Sequence, residues 1–280
     1  MERTEPQGSV PLLPDFPYRF GRDGRLCHVD TREPFVFGYR RGDALGTQQR
    51  HRVLGRYITQ HVYDVLHEEY GLRQVSLPPG GSDLRGQNLL LVSPKALESQ
   101  GNLMVLIQDR GTVRCGQWSW KVIAREGLER GSQIPYVRRA LAEAWEVLLM
   151  NPNAGGSPED HVSLVWNLLL SRCAAKNIAV VAHGYGGGSR DWLKANAKKW
   201  VLSCKPLNRP VGSLKADCPQ LSAGTQCHEA APATCMDPLF RFFAKAVKAK
   251  PATVPFDIIT RSKSRGRLSQ GTAAAVPGKP

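Results

Sequence analysis

An apolar run ending in a dense glycine turn, Ile178-Ala179-Val180-Val181-Ala182-His183-Gly184-Tyr185-Gly186-Gly187-Gly188, constrains this chain more than any other stretch. The run has the length of a buried strand, and glycine permits the positive φ and close backbone approach that a tight strand exit demands. Its register, Ala182-His183-Gly184-Tyr185-Gly186, lies over the G-x-S-x-G elbow of hydrolases, where a strained turn lifts a serine hydroxyl above a sheet. The central residue is Gly184, which has no side chain to attack a carbonyl or carry an acyl group. The elbow's shape is suggested and its chemistry denied. The same residues also read as a plain structural turn. A dinucleotide loop fits poorly, because Ser189 stands where the third glycine of G-x-G-x-x-G belongs.

A chain of 280 residues can bury one sizeable core, and open α/β folds of this size are commonly one domain. Residues 1–14 are polar, proline-bearing and without period, so they are expected to form a disordered lead. The domain is expected over 15–250, followed by a basic disordered tail at 251–280. More than half of the formal net charge of +14 lies from Arg241 onward, where nine bases face the single acid Asp257. The segment Arg261-Ser262-Lys263-Ser264-Arg265-Gly266-Arg267 reads either as a solvated end or as a nuclear-import or phosphate-contacting segment. No aromatics interleave its bases, so stacking on single-stranded RNA is not indicated.

The seven cysteines are odd in number and scattered, which argues for free thiols in a reducing compartment. Cys218, Cys227, His228 and Cys235 fall close together without C-x-x-C or H-x-x-x-H spacing, so no metal site is expected from them. No apolar run is long enough to span a bilayer and the N-terminus lacks signal-peptide order. No membrane association or secretion is expected.

Along the chain, Phe16 to Tyr39 alternates aromatic and β-branched residues around turns, as in a small antiparallel meander. Arg50 to Tyr70 carries a helical stripe ending at Gly71. Val75-Ser76-Leu77 and Asn88 to Val92 read as strands, then a short helix, then the strand Leu103 to Ile107. Ile134 to Ala144 reads as a helix, Val147 to Met150 as a strand and Asn151-Pro152-Asn153 as its exit. Ser157-Pro158-Glu159-Asp160 opens a helix by cap, proline and acids against the dipole, running to about Asn177 and into the strand Ile178 to Val181. This alternation predicts a parallel sheet. Ligands in such sheets bind beyond the carboxyl ends of the strands, where the loops Gln108–Gly116, Asn151–Gly156 and His183–Gly188 should gather.

Glu33-Pro34-Phe35-Val36-Phe37, Leu103 to Ile107, Arg114-Cys115-Gly116-Gln117-Trp118, Gln133-Ile134-Pro135, Asn151-Pro152-Asn153, Gly156-Ser157-Pro158-Glu159 and the elbow occur together. In this combination the chain resembles the argonaute-binding (Arb) domain family, most closely its vertebrate branch, the cotranscriptional regulators of sequence-similarity family 172. Asp217-Cys218-Pro219, Ser222 to Thr225 and His228-Glu229 extend the likeness, which covers about Asp15 to Ser264. The resemblance implies an α/β-hydrolase-like fold: a mostly parallel sheet with helices on both faces and, here, the N-terminal meander. It also implies argonaute and chromodomain partners in nuclear small-RNA silencing, heterochromatin and splicing.

The departures from the family matter as much. Relatives carry serine where this chain has Gly184, and His-Gly where it has Gln108-Asp109, so the loop resembling an oxyanion hole is lost. After Gly188 the chain passes directly to Ser189-Arg190-Asp191-Trp192, which looks like a later helix. The crossover helix, the next strand and the acid-bearing loop of the relatives are thus skipped, along with a long charged insert after Asn153. The sheet should be truncated after the elbow strand, with Val201-Leu202-Ser203 a poor substitute for the lost neighbour. Gly184, Tyr185, Gln108 and His228 are left as vestigial catalytic positions, with Asp217 a possible acid. The expected protein is a non-catalytic nuclear scaffold without cofactor or metal, able to self-associate through its open sheet edge. Two alternatives stay open: a residual hydrolase built on His183, Tyr185 or His228, and a decayed copy that folds badly because its sheet is incomplete.

Overall fold

The structure is a computed structural model that describes residues 16–38, 44–77, 89–153, 157–184, 196–212 and 218–249. Strands Tyr18–Phe20 (β1) and Leu26–His28 (β2) form an antiparallel hairpin. The third run of the expected meander, Phe35 to Phe37, forms no strand and joins the hairpin through the bridge Cys27↔Pro34, the Phe35 N–H to the Leu26 carbonyl at 2.8 Å and the Phe35 ring against Tyr18. Proline supplies no N–H to extend the ladder. The hairpin instead presents aromatics to the following helix, Ala44–Glu68 (α1), with Phe20 stacked on His61 at 4.2 Å.

Helix α1 buries Leu54, Ile58, Val62 and Leu66, residues four apart and therefore on one face. It stops where Gly71 takes a φ of +67°, as a glycine beyond a helix end often does.

The central sheet comprises Arg73–Ser76 (β3), Leu89–Val92 (β4), Asn102–Ile107 (β5), Trp145–Leu149 (β6) and Asn177–Ala182 (β7), in the order β3-β4-β6-β5-β7. Strands β6, β5 and β7 are parallel, as the alternating pattern predicts. Strand β4 is antiparallel to both neighbours, so the sheet is mixed. Its continuous apolar sequence reflects burial on both faces rather than parallel pairing. Leu91 enters one core, while Leu90 and Val92 enter the other.

Trp120–Glu126 (α2), Leu128–Gly131 (α3) and Ile134–Ala142 (α4) link β5 to β6. The expected helix between β4 and β5 is a set of turns instead. Pro158–Leu168 (α5) precedes β7, and the chain straightens after the short turn Leu170–Arg172, well before Asn177. The Ser157 hydroxyl accepts from the Asp160 N–H at 3.3 Å, the cap the sequence predicts. Helices α1, α2 and α4 share one core with Met104, Leu106, Val147 and Leu149, while Val165 of α5 packs on the other face with Leu103, Val105 and Leu148.

Strand β7 ends the sheet among the described residues. Ala179 and Val181 are buried, but Val180 on the opposite face is 40 % exposed. Residues 185–195, which include the run from Ser189 to Trp192, lie outside the described residues. Lys199–Val201 (β8), overlapping the expected Val201–Ser203 run, does not repair this edge. It pairs in parallel with Gln220–Ser222 (β9) in a separate sheet. Trp200 of β8 meets Phe242 of the last helix, Ala231–Lys248 (α6), at 6.4 Å between rings. A bulky aromatic held by that helix is a better partner than an edge three residues could barely cover. Helix α6, which the sequence reading did not assign, inserts Phe240 and Phe243 beside α4. The Tyr136 hydroxyl donates to the Pro232 carbonyl at 2.8 Å.

Candidate functional site

Three loops gather beyond the carboxyl ends of β5, β6 and β7. Gln108 and Asp109 leave β5, Asn151 to Asn153 leave β6, and His183-Gly184 leave β7. Hydrogen bonds lock them together. The Asn151 side-chain oxygen accepts from the Cys115 N–H at 3.2 Å and from Gln108 at 3.4 Å. The Asn153 amide donates to the carbonyls of Asp109 and Val113 at 2.6 and 3.0 Å. The His183 N–H donates to the Ile107 carbonyl at 2.9 Å. The Asn-Pro-Asn run is therefore a brace for the loop bearing Asp109.

The fourth component comes from far along the chain. After β9, Gly224 turns with a φ of +67° and Ser203 donates its N–H to the Thr225 carbonyl. This delivers the short turn His228–Ala230 at the head of α6. There the His228 Nε2 lies 2.6 Å from an Asp109 carboxylate oxygen, and its ring stacks on His183 with centroids 4.2 Å apart. Trp118 meets His183 edge-on at 6.2 Å.

Gly184 adopts a φ of +76°, the left-handed exit expected of an elbow. A Cβ at this position would collide with the Asp109 carboxylate. Two independent observations thus put that carboxylate in one place: it fills the space above the elbow glycine, and it bonds the Nε2 of His228. In a Ser-His-Asp triad the serine hydroxyl bonds Nε2, while the acid orients the ring from Nδ1. Asp109 therefore stands in the nucleophile's place and not in the acid's.

Burial pushes the His183 imidazole down to about 4, the neighbouring His228 pushes it the same way, and Asp109 opposes them. Neither ring nitrogen of His183 has a hydrogen-bond partner among the described residues. His161, at the start of α5, is pushed down to about 4 by burial alone. Its Nε2 accepts from the Asn151 N–H at 3.2 Å, so it is a core residue tied to the β6 exit. Asp109, His183 and His228 each offer one ligand atom within 4.8 Å of the others, the geometry among these residues that could hold a metal ion.

Of the sequence-predicted positions, Gly184 and His228 converge here. Gln108 is buried just beneath, with its Oε1 lacking a partner among the described residues. Tyr185 and Asp217 lie outside the described residues, as do 1–14 and 251–280 with the basic tail. Asp109 escaped the sequence reading because it figured only as the loss of a family His-Gly. The signal was present: an acid just past a central strand, opposite an elbow whose missing side chain leaves room for it.

A model of the Arb2 domain matches residues 11–156, just over half of the chain. The matched part contains Asp109, whereas His183 and His228 lie beyond it. The chain is 29% identical to human "Cotranscriptional regulator ARB2A", covering 94% of this chain and 87% of that protein. A FAM172 family protein homolog of Caenorhabditis elegans is 34% identical over 61% of this chain and 55% of its own length. An ARB2A homolog of Dictyostelium discoideum is 22% identical over 84% and 80%. No solved structure matches. With the family model spanning the hairpin, most of the central sheet and the Asp109 loop, the chain belongs to the Arb2 domain family.

Proposed function

We propose that this protein is a cotranscriptional regulator that works by binding partners and not by hydrolysis. The observation that carries the reading is the Asp109 carboxylate above Gly184. Parallel β6, β5 and β7, a left-handed glycine at the exit of β7, and a histidine ahead of the last helix support reading the fold as a hydrolase relic. Where the nucleophile would act, it holds a carboxylate paired to that histidine. Such a pair has no hydroxyl to activate, and it occupies the volume an acyl group would need.

The relatives' names support a role in cotranscriptional regulation, and a nuclear location goes with that reading. Argonaute and chromodomain proteins are the partners this reading implies, with small-RNA silencing, heterochromatin and splicing as the processes. The purified chain should release no product from activated acyl esters and take no label from a serine-directed fluorophosphonate. It should retain purified argonaute or chromodomain protein in a pull-down. Turnover or labelling at the β7 exit would overturn the non-catalytic reading, and failure to retain either partner would overturn the proposed partners. Deleting 261–267 should move the protein from nucleus to cytoplasm, and an unchanged distribution would remove the tail from this account.

A further inference from the structure

We propose that Asp109, His183 and His228 form a binding site for a divalent transition-metal ion of the zinc type. Among the described residues, this is the one place where three metal-ligating side chains converge, with one ligand atom of each within 4.8 Å of the others. Zinc binds imidazole nitrogen and carboxylate oxygen at ~2.0–2.2 Å, so bound ligand atoms must lie roughly 3–3.5 Å from one another. The cluster needs to contract between its most distant atoms by little more than ~1 Å. It must also open the 2.6 Å contact between Asp109 and His228 slightly, with the metal replacing the proton shared there. Both distance changes are small, but one imidazole must also turn out of the 24° stack of His183 on His228, because a metal lies in the plane of each ring that binds it.

The donor set selects the ion. Two imidazoles and one carboxylate suit zinc, cobalt, nickel or copper, while magnesium and calcium prefer oxygen ligands. One carboxylate charge offsets part of the ion's own. Three protein ligands leave the fourth position to water or to a donor from a bound partner, unlike a closed structural site. The His228 side chain is 48 % exposed, so this open position faces solvent.

The surroundings are built to hold the ligands. The second Asp109 oxygen accepts from the Arg110 N–H at 2.7 Å, and its carbonyl is held by Asn153. Bonds of this kind orient a ligating carboxylate and are part of a metal site's affinity. The unpartnered nitrogen of His183 is the donor that the protein's own hydrogen bonding leaves unused. No C-x-x-C or H-x-x-x-H spacing announces the site, because its ligands come from the exits of β5 and β7 and from the turn before α6.

The site would tie the β8-β9 unit and α6 to the central sheet, so binding should stabilise the fold by mass action. The test uses the full chain, stripped with chelator and titrated with zinc chloride, with magnesium chloride as control. Calorimetry should show one equivalent of zinc bound with a zinc-dependent rise in melting temperature, and magnesium should produce neither. Asp109→Asn and His228→Gln preserve size and surface and should each weaken zinc binding by at least tenfold, as loss of a ligand requires, and abolish the thermal shift. Cobalt added to the wild-type chain should give visible d–d bands without a near-ultraviolet thiolate band. The absence of a zinc-dependent shift in the wild-type chain would overturn the proposal. So would zinc affinity unchanged in both variants, or a thiolate band placing the ion on Cys204, Cys218 or Cys227.

Discussion

The chain leaves β6 and β7 at the same end of the sheet and meets a histidine beyond each, yet the two exits are built differently. Beyond β6, Asn151 has its side-chain oxygen bonded, its N–H donates to His161, and the chain enters a capped helix. Beyond β7, the His183 imidazole is also pushed down to about 4, by burial and by His228 against Asp109, but lacks a partner for its ring among the described residues, and a left-handed glycine follows. One exit satisfies its polar groups from within the fold. The other leaves a donor, a cavity-sized absence of side chain and an intruding carboxylate. A displaced histidine pKa is therefore not a signature of function by itself; partner bookkeeping separates the two.

The largest expected effect comes from giving the β7 exit the serine of a hydrolase elbow. Gly184→Ser forces a non-glycine residue to a φ of +76° and drives its Cβ into Asp109. Left-handed strain of ~1–2 kcal/mol and overpacking of ~1–3 kcal/mol together predict a loss of roughly 2–5 kcal/mol in denaturant melts. Adding Asp109→Ala should return the overpacking part, so the double-mutant cycle should show coupling between the two positions. Additive losses would mean that the carboxylate does not fill the nucleophile's place. Neither variant should hydrolyse acyl esters, because the acid and the oxyanion donors of a triad are not restored.

Next in size is the acid sensitivity of the β6 exit. The pKa of His161 is lowered in the folded chain from 6.5 to about 4, so between these values the unfolded chain binds the extra proton. The His161 contribution to stability should be fully present above pH 6.5 and fall by roughly 3 kcal/mol as the pH drops toward 4, alongside a loss of the same sign from His183, which is also lowered to about 4. His161→Gln keeps an acceptor for the Asn151 N–H and removes the titration. It should make this part of the pH–stability curve shallower, with the His183 slope left, and an unchanged slope would show that His161 does not contribute.

Asn151→Ala removes the acceptor for the buried Cys115 N–H and for Gln108. Leaving a buried donor unsatisfied costs ~1–3 kcal/mol, and the loop bearing Asp109 should loosen with it. Faster amide exchange at Cys115, with a melt lowered in proportion, is the expected reading; a loss confined to stability would mean that Asn151 does not brace the loop.

How much of this could be read beforehand follows the physics of each part. The three parallel strands were legible because continuous apolar runs alternate with helical patterns, although β7 buries only one face, and Ser157-Pro158-Glu159 wrote the start of α5 plainly. The antiparallel place of β4 was not, because Leu89 to Val92 would read the same in either direction. The residues of α6 looked like the approach to a basic tail, and only its packing of Phe240 and Phe243 against α4 explains why it forms. At the site, Gly184 and His228 were visible through a motif. Asp109 was hidden because its meaning depends on the space above a glycine many residues away, which local pattern does not encode.

The smallest expected effect on folding concerns the side of β7 that faces away from the α1 core. Val180 is 40 % exposed and β7 has no outer neighbour among the described residues, whereas β6 lies between two strands. An exposed apolar strand edge is a template for pairing with a second chain. The purified protein should therefore self-associate as its concentration rises, seen as a growing mass in sedimentation or light scattering. Val180→Lys places a charge on this surface without removing a core contact, so the monomer's stability should change by no more than ~0.5 kcal/mol. A lysine there should nevertheless suppress association, because edge charges oppose strand pairing. The matching change inside the sheet, Leu148→Lys on β6, should unfold the chain, since Leu148 is fully buried. A wild-type protein that stays monomeric at high concentration would show that the edge is covered, and residues 185–195 would be the first place to look for the cover.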